Sequence, residues 1–532
     1  MEFDYIVVGA GSAGCTLAGQ LSANPSVTVL LIEAGPWDRN PWLKVPKGFA
    51  LIMGRKELTW NYPVDYREPG IANEVWQRGK VLGGSSAING MVYSRGNKPD
   101  FDTLEGYGGP EWGWESMLSA YKAMEDNALG ASETRGAGGP LHVSRFRGAD
   151  PVSQRLIEAG GSIGLDMVED CNESDNARIG YTMCTIRNGV RVSAAKAFIH
   201  PVRSRPNLTV TTSAQAVRLL RKGNRICGVT VRRGGVLEDI AARREVLLSM
   251  GCMGTPKMLQ LSGIGPADVL RAAGIDVLVD SPHVGANLRE HRSPIFQFRL
   301  NRNVGYNRML SSRTRQALSG MRYLVDRGGV MGQSAFDVVA FLKTRPELPR
   351  PDVQLLIAPY SSGRPRKGIS IEQEPGMQAL GIVLRPESRG TVAITSADPD
   401  ADLAISPNHM TAAYDRQAMA GLYRVTRDLF AASPIADYID HERYLLGEPA
   451  GEDEDSLAEH VRRRGVSNYH AVGTAAMGTQ DNAPIDPQLR VRGVEGLRVV
   501  DCSAFPEMVS CGTNAPAMAL GWRAADMILS EL

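Results

Sequence analysis

Residues 4–14 read Asp-Tyr-Ile-Val-Val-Gly-Ala-Gly-Ser-Ala-Gly, an apolar run of strand character that feeds directly into a glycine-rich turn. Gly9, Gly11 and Gly14 complete a G-x-G-x-x-G pattern. In that pattern the first glycine permits a tight turn, the second lets the backbone approach a pyrophosphate, and the third lets a helix pack close on the strand. Ser12 and Ala13 open a small, apolar stretch at helical spacing that runs to Leu21. The N-terminus of such a helix aims N–H groups and the positive end of its dipole at phosphates. A second apolar strand, Val27 to Ile32, ends at Glu33 and Ala34. A carboxylate about 20 residues past the turn stands where a ribose hydroxyl is held. Strand, turn, helix and acid together predict a dinucleotide site rather than an ordinary glycine turn. The motif alone serves NAD and FAD alike, since both present adenosine and pyrophosphate.

Working outward, 532 residues are too many for one core, and about two to four domains are expected. The formal net charge of +1 gives no surface suited to nucleic acid or an anionic membrane. No apolar run reaches the roughly 20 residues that span a bilayer. The glycine motif starts at residue 9, so no leader is expected in front of it. The seven cysteines include no C-x-x-C pair, and the eight histidines show no H-E-x-x-H or H-x-H spacing. These features argue against a disulfide framework and against a metal site, and for a reducing, cytoplasmic location. They leave peripheral membrane association and oligomerisation open.

Along the chain, 36–75 is rich in Pro, Trp and Asn without clear periodicity and reads as a long loop or lid. Residues 113–126 read as helical and 128–140 as flexible. Asn207 to Thr212 and Ile226 to Arg232 alternate like strands of a small antiparallel sheet. Glu245 to Met250 is an apolar strand leading into Gly251, and Pro256 to Leu261 is helical. From about 293 to 460 strand-like stretches (353–357, 381–384, 391–394) mix with helices (414–430, 456–464). Leu497 to Asp501 is a strand and Ala515 to Leu529 an amphipathic helix. A terminal strand–helix pair of this kind can return to the first sheet. The expected architecture is therefore mixed α/β: a discontinuous Rossmann-like nucleotide domain (1–150, 190–292 and 465–532) and a substrate domain (151–189 and 293–464) with an antiparallel sheet flanked by helices.

Six ordered segments resemble the glucose-methanol-choline (GMC) oxidoreductase family. Residues 79–102, with Gly79, Leu82, Gly83, Ser85, Asn89, Gly90, Met91 and Val92, are similar to its first signature. Their glycines and serines offer close-approaching N–H groups and short hydroxyls. Residues 251–265 resemble the second, with Cys252 where a small residue is usual; it reads as structural. Residues 284–291 are similar to a G-x-N-L-x-D-H turn, with Glu290 replacing the Asp and His291 read as structural. Pro386, Ser388, Arg389 and Gly390 match the segment that opens the family's C-terminal half. Tyr-His-Ala-Val-Gly-Thr-Ala-Ala-Met-Gly (469–478) looks like the catalytic-histidine motif and implies His470 beside a flavin. Asp501 and Cys502 end a flavin-binding strand, and Asn514 and Pro516 open the last helix. Gly512, fourteen residues before Asp526, stands where a second catalytic His or Asn is common, which leaves Asn514, a water, or His470 alone.

The resemblance implies FAD rather than NAD, held noncovalently, since Ile88 occupies the position of a linking histidine in some members. Val217 completes the implied cofactor contacts. The implied reaction is oxidation of an alcohol, a primary one, to the carbonyl compound by way of His470. Electrons would leave to a quinone, another carrier or dioxygen. The alternatives are an alcohol oxidase producing hydrogen peroxide, or the same fold in non-redox lyase or decarboxylase use. Trp60, Tyr62, Phe336, Phe341 and Tyr360 read first as core aromatics, with a substrate-facing role as the alternative.

Overall fold

The computed structural model describes residues 2–66, 68, 71, 73–146, 148, 150–363 and 370–532. The glycine-turn unit forms as its sequence dictates. Strand β1 (Glu2–Val8), helix α1 (Ser12–Leu21) and strand β2 (Val29–Ile32) follow in order, with β1 and β2 parallel and Ile6 opposite Leu30. β2 starts two residues later than the apolar run suggests. Gly9 lies at φ +101°, and a Cβ on Gly14 would come within 1.9 Å of the Gly9 carbonyl oxygen. Gly9 thus makes the turn, and Gly14 lets the helix close on it.

Five further strands complete the sheet: β3 (Leu208–Thr211), β4 (Gln215–Lys222), β5 (Arg225–Arg233), β6 (Val236–Leu248) and, from the far end of the chain, β7 (Leu497–Val499). The order is β3-β2-β1-β6-β5-β4, with β7 also pairing β6. The long β6 runs parallel to β1 along one edge. Its other edge pairs first with β5, antiparallel, and then with β7, parallel, where Val246 faces Leu497. Residues 208–211 do not belong to a separate antiparallel sheet as expected. They add to β2 in parallel, and the β4–β5 hairpin continues the same sheet. Alternation shows that a strand is half-buried but says nothing about its partner.

After β6 comes helix α2 (Gly251–Leu261), and after β7 the closing helix α3 (Asn514–Ser530). α3 lies against α1 so closely that a Cβ on Gly521 would sit 2.5 Å from the Ala13 carbonyl oxygen. Nearly the whole inner face of α3, from Ala515 through Ile528, is buried.

The stretch 36–75 is more regular than an aperiodic lid. It holds two 3-10 segments, and its strand Thr59–Val64 forms a hairpin with Glu74–Gly79, Trp60 opposite Arg78. Positions 67, 69, 70 and 72 of that stretch lie outside the described residues. A second seven-stranded sheet is built from 439–443, 295–300, 376–383, 353–358, 338–342, 178–181 and 166–167, in that order. One face packs on helix Ala413–Ala431, where Phe298 stacks on Phe430 and Phe296 meets Tyr423 edge-on. Its other face turns Gln354, Leu356, Gln378 and Leu380 toward the first sheet. Among the described residues no helix is long and apolar enough to cross a membrane.

Gly521→Ala tests the closeness of α1 and α3. Alanine gains about 1 kcal/mol of helix propensity, but overpacking against backbone costs about 1–3 kcal/mol. The expected outcome is a lowered melting temperature in thermal unfolding; a raised one would show that the two helices part freely.

Candidate active site

A cavity of about 820 Å³ lies between the two sheets. Three helices start on it without a side-chain cap: α1 at Gly11, α2 at Met250 and α3 at Thr513. Uncapped N-termini leave N–H donors and positive dipole ends pointing at whatever fills the space. A Cβ on Gly11 would meet nothing within 4 Å, so the second glycine of the turn leaves the approach open. This cradle fits a ligand with two phosphates and a polar ring system.

Of the residues expected to touch a cofactor, Gly9, Gly11, Ser12, Ala13, Glu33, Ala34, Gly79, Ser85, Asn89, Gly90, Met91, Val92, Gly251, Asp501, Cys502 and Asn514 line the cavity. Gly14, Leu82, Gly83, Val217 and Pro516 do not. Gly14 is spent on helix packing, and Leu82 is fully buried in the core. The Gly83 amide donates to the Ala10 carbonyl at 2.8 Å. On β4 it is Gln215 and Ala216 that line the cavity, and the strand's pairing shifts register between Ala216 and Arg218. Pro516 is buried in the first turn of α3.

Glu33 accepts from the Ala10 amide at 3.0 Å and the Gly35 amide at 2.8 Å, so it braces the glycine turn as well as lining the cavity. Burial pushes its carboxyl up to about 7, against the pull of those two amides and of Lys80. Asp501 is more fully committed. One oxygen accepts from the Gly251 amide (2.8 Å) and the Thr255 hydroxyl (2.5 Å), the other from the Ser503 amide (2.8 Å) and hydroxyl (2.5 Å). It ties the end of β7 to the start of α2. Asn514 accepts from the Ser12 hydroxyl at 2.8 Å, which joins the start of α3 to the start of α1. Cys252 donates to the Ala471 carbonyl at 2.8 Å and is buried, as a structural thiol should be.

His470 is half-buried at the cavity wall, after Tyr469, whose φ of +63° is uncommon for a bulky residue. Its Nδ1 lies 3.0 Å from Nδ1 of His291, and Nε2 of His291 lies 3.0 Å from the Leu384 carbonyl. A carbonyl only accepts, so His291 carries its proton on Nε2. Burial pushes His291 down to about 4, so it is neutral and its Nδ1 is bare. His470 must then donate from Nδ1, which leaves its Nε2 without a proton. Burial, then the neighbouring His291 and Arg78, hold the His470 imidazole well below its ordinary value. A Cβ on Gly512 would lie 3.1 Å from that bare Nε2. The position found by counting back from Asp526 is indeed the one beside the histidine, and glycine leaves it open.

Glu290 explains the longer acid in the 284–291 turn. Its Oε1 accepts from the His470 amide at 2.7 Å and the His291 amide at 3.0 Å, and its Oε2 meets Arg78 at 3.3 Å. Arg78 was not anticipated, because nothing near it in the chain marks it; Glu290, the acid it pairs with, lies 212 residues away. Trp60, Tyr62, Phe336 and Tyr360 line the cavity, whereas Phe341 is a core residue 4.0 Å from the Arg178 guanidinium. The first four therefore correct the core reading. The amide of Gln354, 2% exposed and turned to the cavity, has no hydrogen-bond partner among the described residues.

Comparison with known proteins places this architecture. The GMC oxidoreductase N-terminal pattern matches residues 3–293 and the C-terminal pattern residues 386–521. The chain belongs to the GMC oxidoreductase family; it is an oxidoreductase, and its cofactor is FAD. It is 35% identical to an alcohol dehydrogenase [acceptor] of Pseudomonas putida, over 100% of this chain and 96% of the relative. It is 37% identical to an oxygen-dependent choline dehydrogenase of Rhizobium johnstonii, with the same coverage. Among solved structures, formate oxidase of Aspergillus oryzae superposes with a TM-score of 0.89 at 28% identity, covering 100% of this chain and 98% of the other. Pyridoxine 4-oxidase from Mesorbium loti gives 0.87 at 27%, covering 99% of each.

Proposed function

We propose that the protein oxidises an alcohol to its carbonyl compound, with His470 as the general base, and passes the electrons to an acceptor. The observation that carries this reading is the bare Nε2 of His470, held toward an open position in the cavity wall. An alcohol hydroxyl is a poor acid, and its carbon gives up hydride far more readily once the oxygen bears negative charge. His470 Nε2 accepts that proton, and the cation so formed stabilises the developing alkoxide. FAD, when bound, supplies the hydride acceptor. Glu290 fixes the main chain of both histidines, Arg78 balances its charge, and His291 holds the tautomer. Gly9, Gly11, Ser12, Ala13 and Glu33 hold the adenosine and pyrophosphate, with Ala34 beside them. The segment 79–92 and the start of α3 hold the rest. Asn514 offers its free amide group as the second polar contact that Gly512 cannot supply. In this reading 1–150, 190–292 and 465–532 hold the cofactor, and 151–189 with 293–464 the substrate. Seven free cysteines suit a cytoplasmic location.

Positioned bases contribute about 10²–10⁴-fold. His470→Ala should therefore slow anaerobic reduction by saturating alcohol to that extent in rapid mixing, with FAD still bound. Reduction at the wild-type rate would make the histidine structural.

Because the His470 imidazole is held below the ordinary 6.5, it stays neutral and competent into mildly acid solution. The acid limb of kcat/KM, which falls as the base is protonated, should lie below pH 6.5. A limb above pH 7 would point to another base.

Ile88 lines the cavity with a side chain that cannot bond to a flavin, which supports noncovalent FAD. Acid precipitation should leave the yellow colour in the supernatant; colour kept by the pellet would refute it.

A further inference from the structure

Three of the cavity's aromatic rings are already engaged by the protein's own cations, which leaves Phe49 and Phe336 without one. Lys80 Nζ lies 4.4 Å from the centre of the Trp60 ring, the Arg78 guanidinium 5.5 Å from that of Tyr469, and Lys47 Nζ 5.6 Å from that of Tyr360. Tyr62 stacks on Trp60. An aromatic cage for a cationic ligand needs free ring faces, and here three rings carry a positive group.

The buried carboxylates of the cavity are committed as well. Glu33 takes two backbone amides and Asp501 takes four donors. Asp400 is paired with Arg232 and Gln215, and it lies with Asp402 at an exposed end of the cavity beside Lys257. Behind the wall, Glu290 is matched to Arg78, and Asp337 accepts from the Tyr306 hydroxyl at 2.9 Å with Lys47 nearby, its other oxygen unpartnered but outside the cavity lining. Past the exposed Asp400 and Asp402, a cation would meet no uncommitted carboxylate on the cavity wall among the described residues, and burying an unpaired charge is costly. The groups that turn inward without a partner are neutral: the side-chain carbonyl oxygen of Gln77, the Asn514 amide nitrogen and, on the second sheet, the amide of Gln354, flanked by Leu356 and Leu380.

Resting on the alcohol-oxidising reading above, we propose that the substrate is an uncharged alcohol with an apolar body, and that the cavity rejects quaternary-ammonium alcohols such as choline. Gln354 is the specificity-determining position, where an amide meets an uncharged substrate and a carboxylate would meet a cation.

Two alcohols of nearly one shape test the charge alone: choline, and 3,3-dimethylbutan-1-ol, in which carbon replaces the quaternary nitrogen. With holoenzyme and a dye acceptor, kcat/KM for the neutral alcohol should exceed that for choline by at least about 100-fold. Equal values, or a preference for choline, would overturn the proposal. The isosteric Gln354→Glu variant should shift the ratio toward choline by at least about tenfold, and a ratio it leaves unmoved would also count against the proposal. Benzyl alcohol and short linear alcohols run alongside separate the two readings. If FAD-loaded protein is reduced by no alcohol at all, alcohol oxidation falls and the proposal falls with it; if choline is used best, only the substrate class falls.

Discussion

The sharing of one strand between the start, middle and end of the chain is the constraint on which the rest depends. β6 pairs with β1 on one edge and with β7 on the other. Hydrogen bonding in register therefore sets Val8, Leu248 and Val499 side by side, and the turns that leave those strands open on the same space. α1, α2 and α3 begin there. In open α/β sheets ligands bind outside the carboxyl ends of the strands, and here three uncapped helix starts meet at that edge. Asp501 and Asn514 then lock the starts to one another with short side-chain bonds. The cradle is a property of strand register first and of side chains second.

The second level is the control of a single proton. A histidine facing a cavity could present either ring nitrogen, and only one of the two tautomers is useful. The chain settles this through a relay that ends on a backbone carbonyl, Leu384 to His291 to His470. Burial keeps both imidazoles neutral, so the relay has one consistent arrangement. Glu290 adds a second anchor through the main chain rather than the rings. Its extra methylene relative to aspartate lets one carboxylate reach two amides and a guanidinium at once.

What was legible in the sequence was mostly local. The glycine turn could be read because Gly9, Gly11 and Gly14 act on their immediate neighbours. Gly512 could be found by counting because the resemblance to the family fixes its spacing from Asp526. The aromatic residues were legible by type but not by direction, since core and ligand pockets draw on the same side chains. The pairing of 208–211 with β2 was hidden because alternation describes two faces of a strand and neither of its edges. Arg78 and the role of His291 were out of reach for a simpler reason. Each depends on a partner some 180 to 210 positions distant, and no periodicity connects them.

The meeting of Ser12 with Asn514 has a consequence for how the protein is made. The glycine turn is synthesised well before β7 and α3, which lie far along the chain. Until those are made, α1 lacks α3 against it, the third helix start is missing, and Ser12 has no Asn514 to bond. Until then the cradle has only the starts of α1 and α2. A complete cradle reports that these distant segments have found each other.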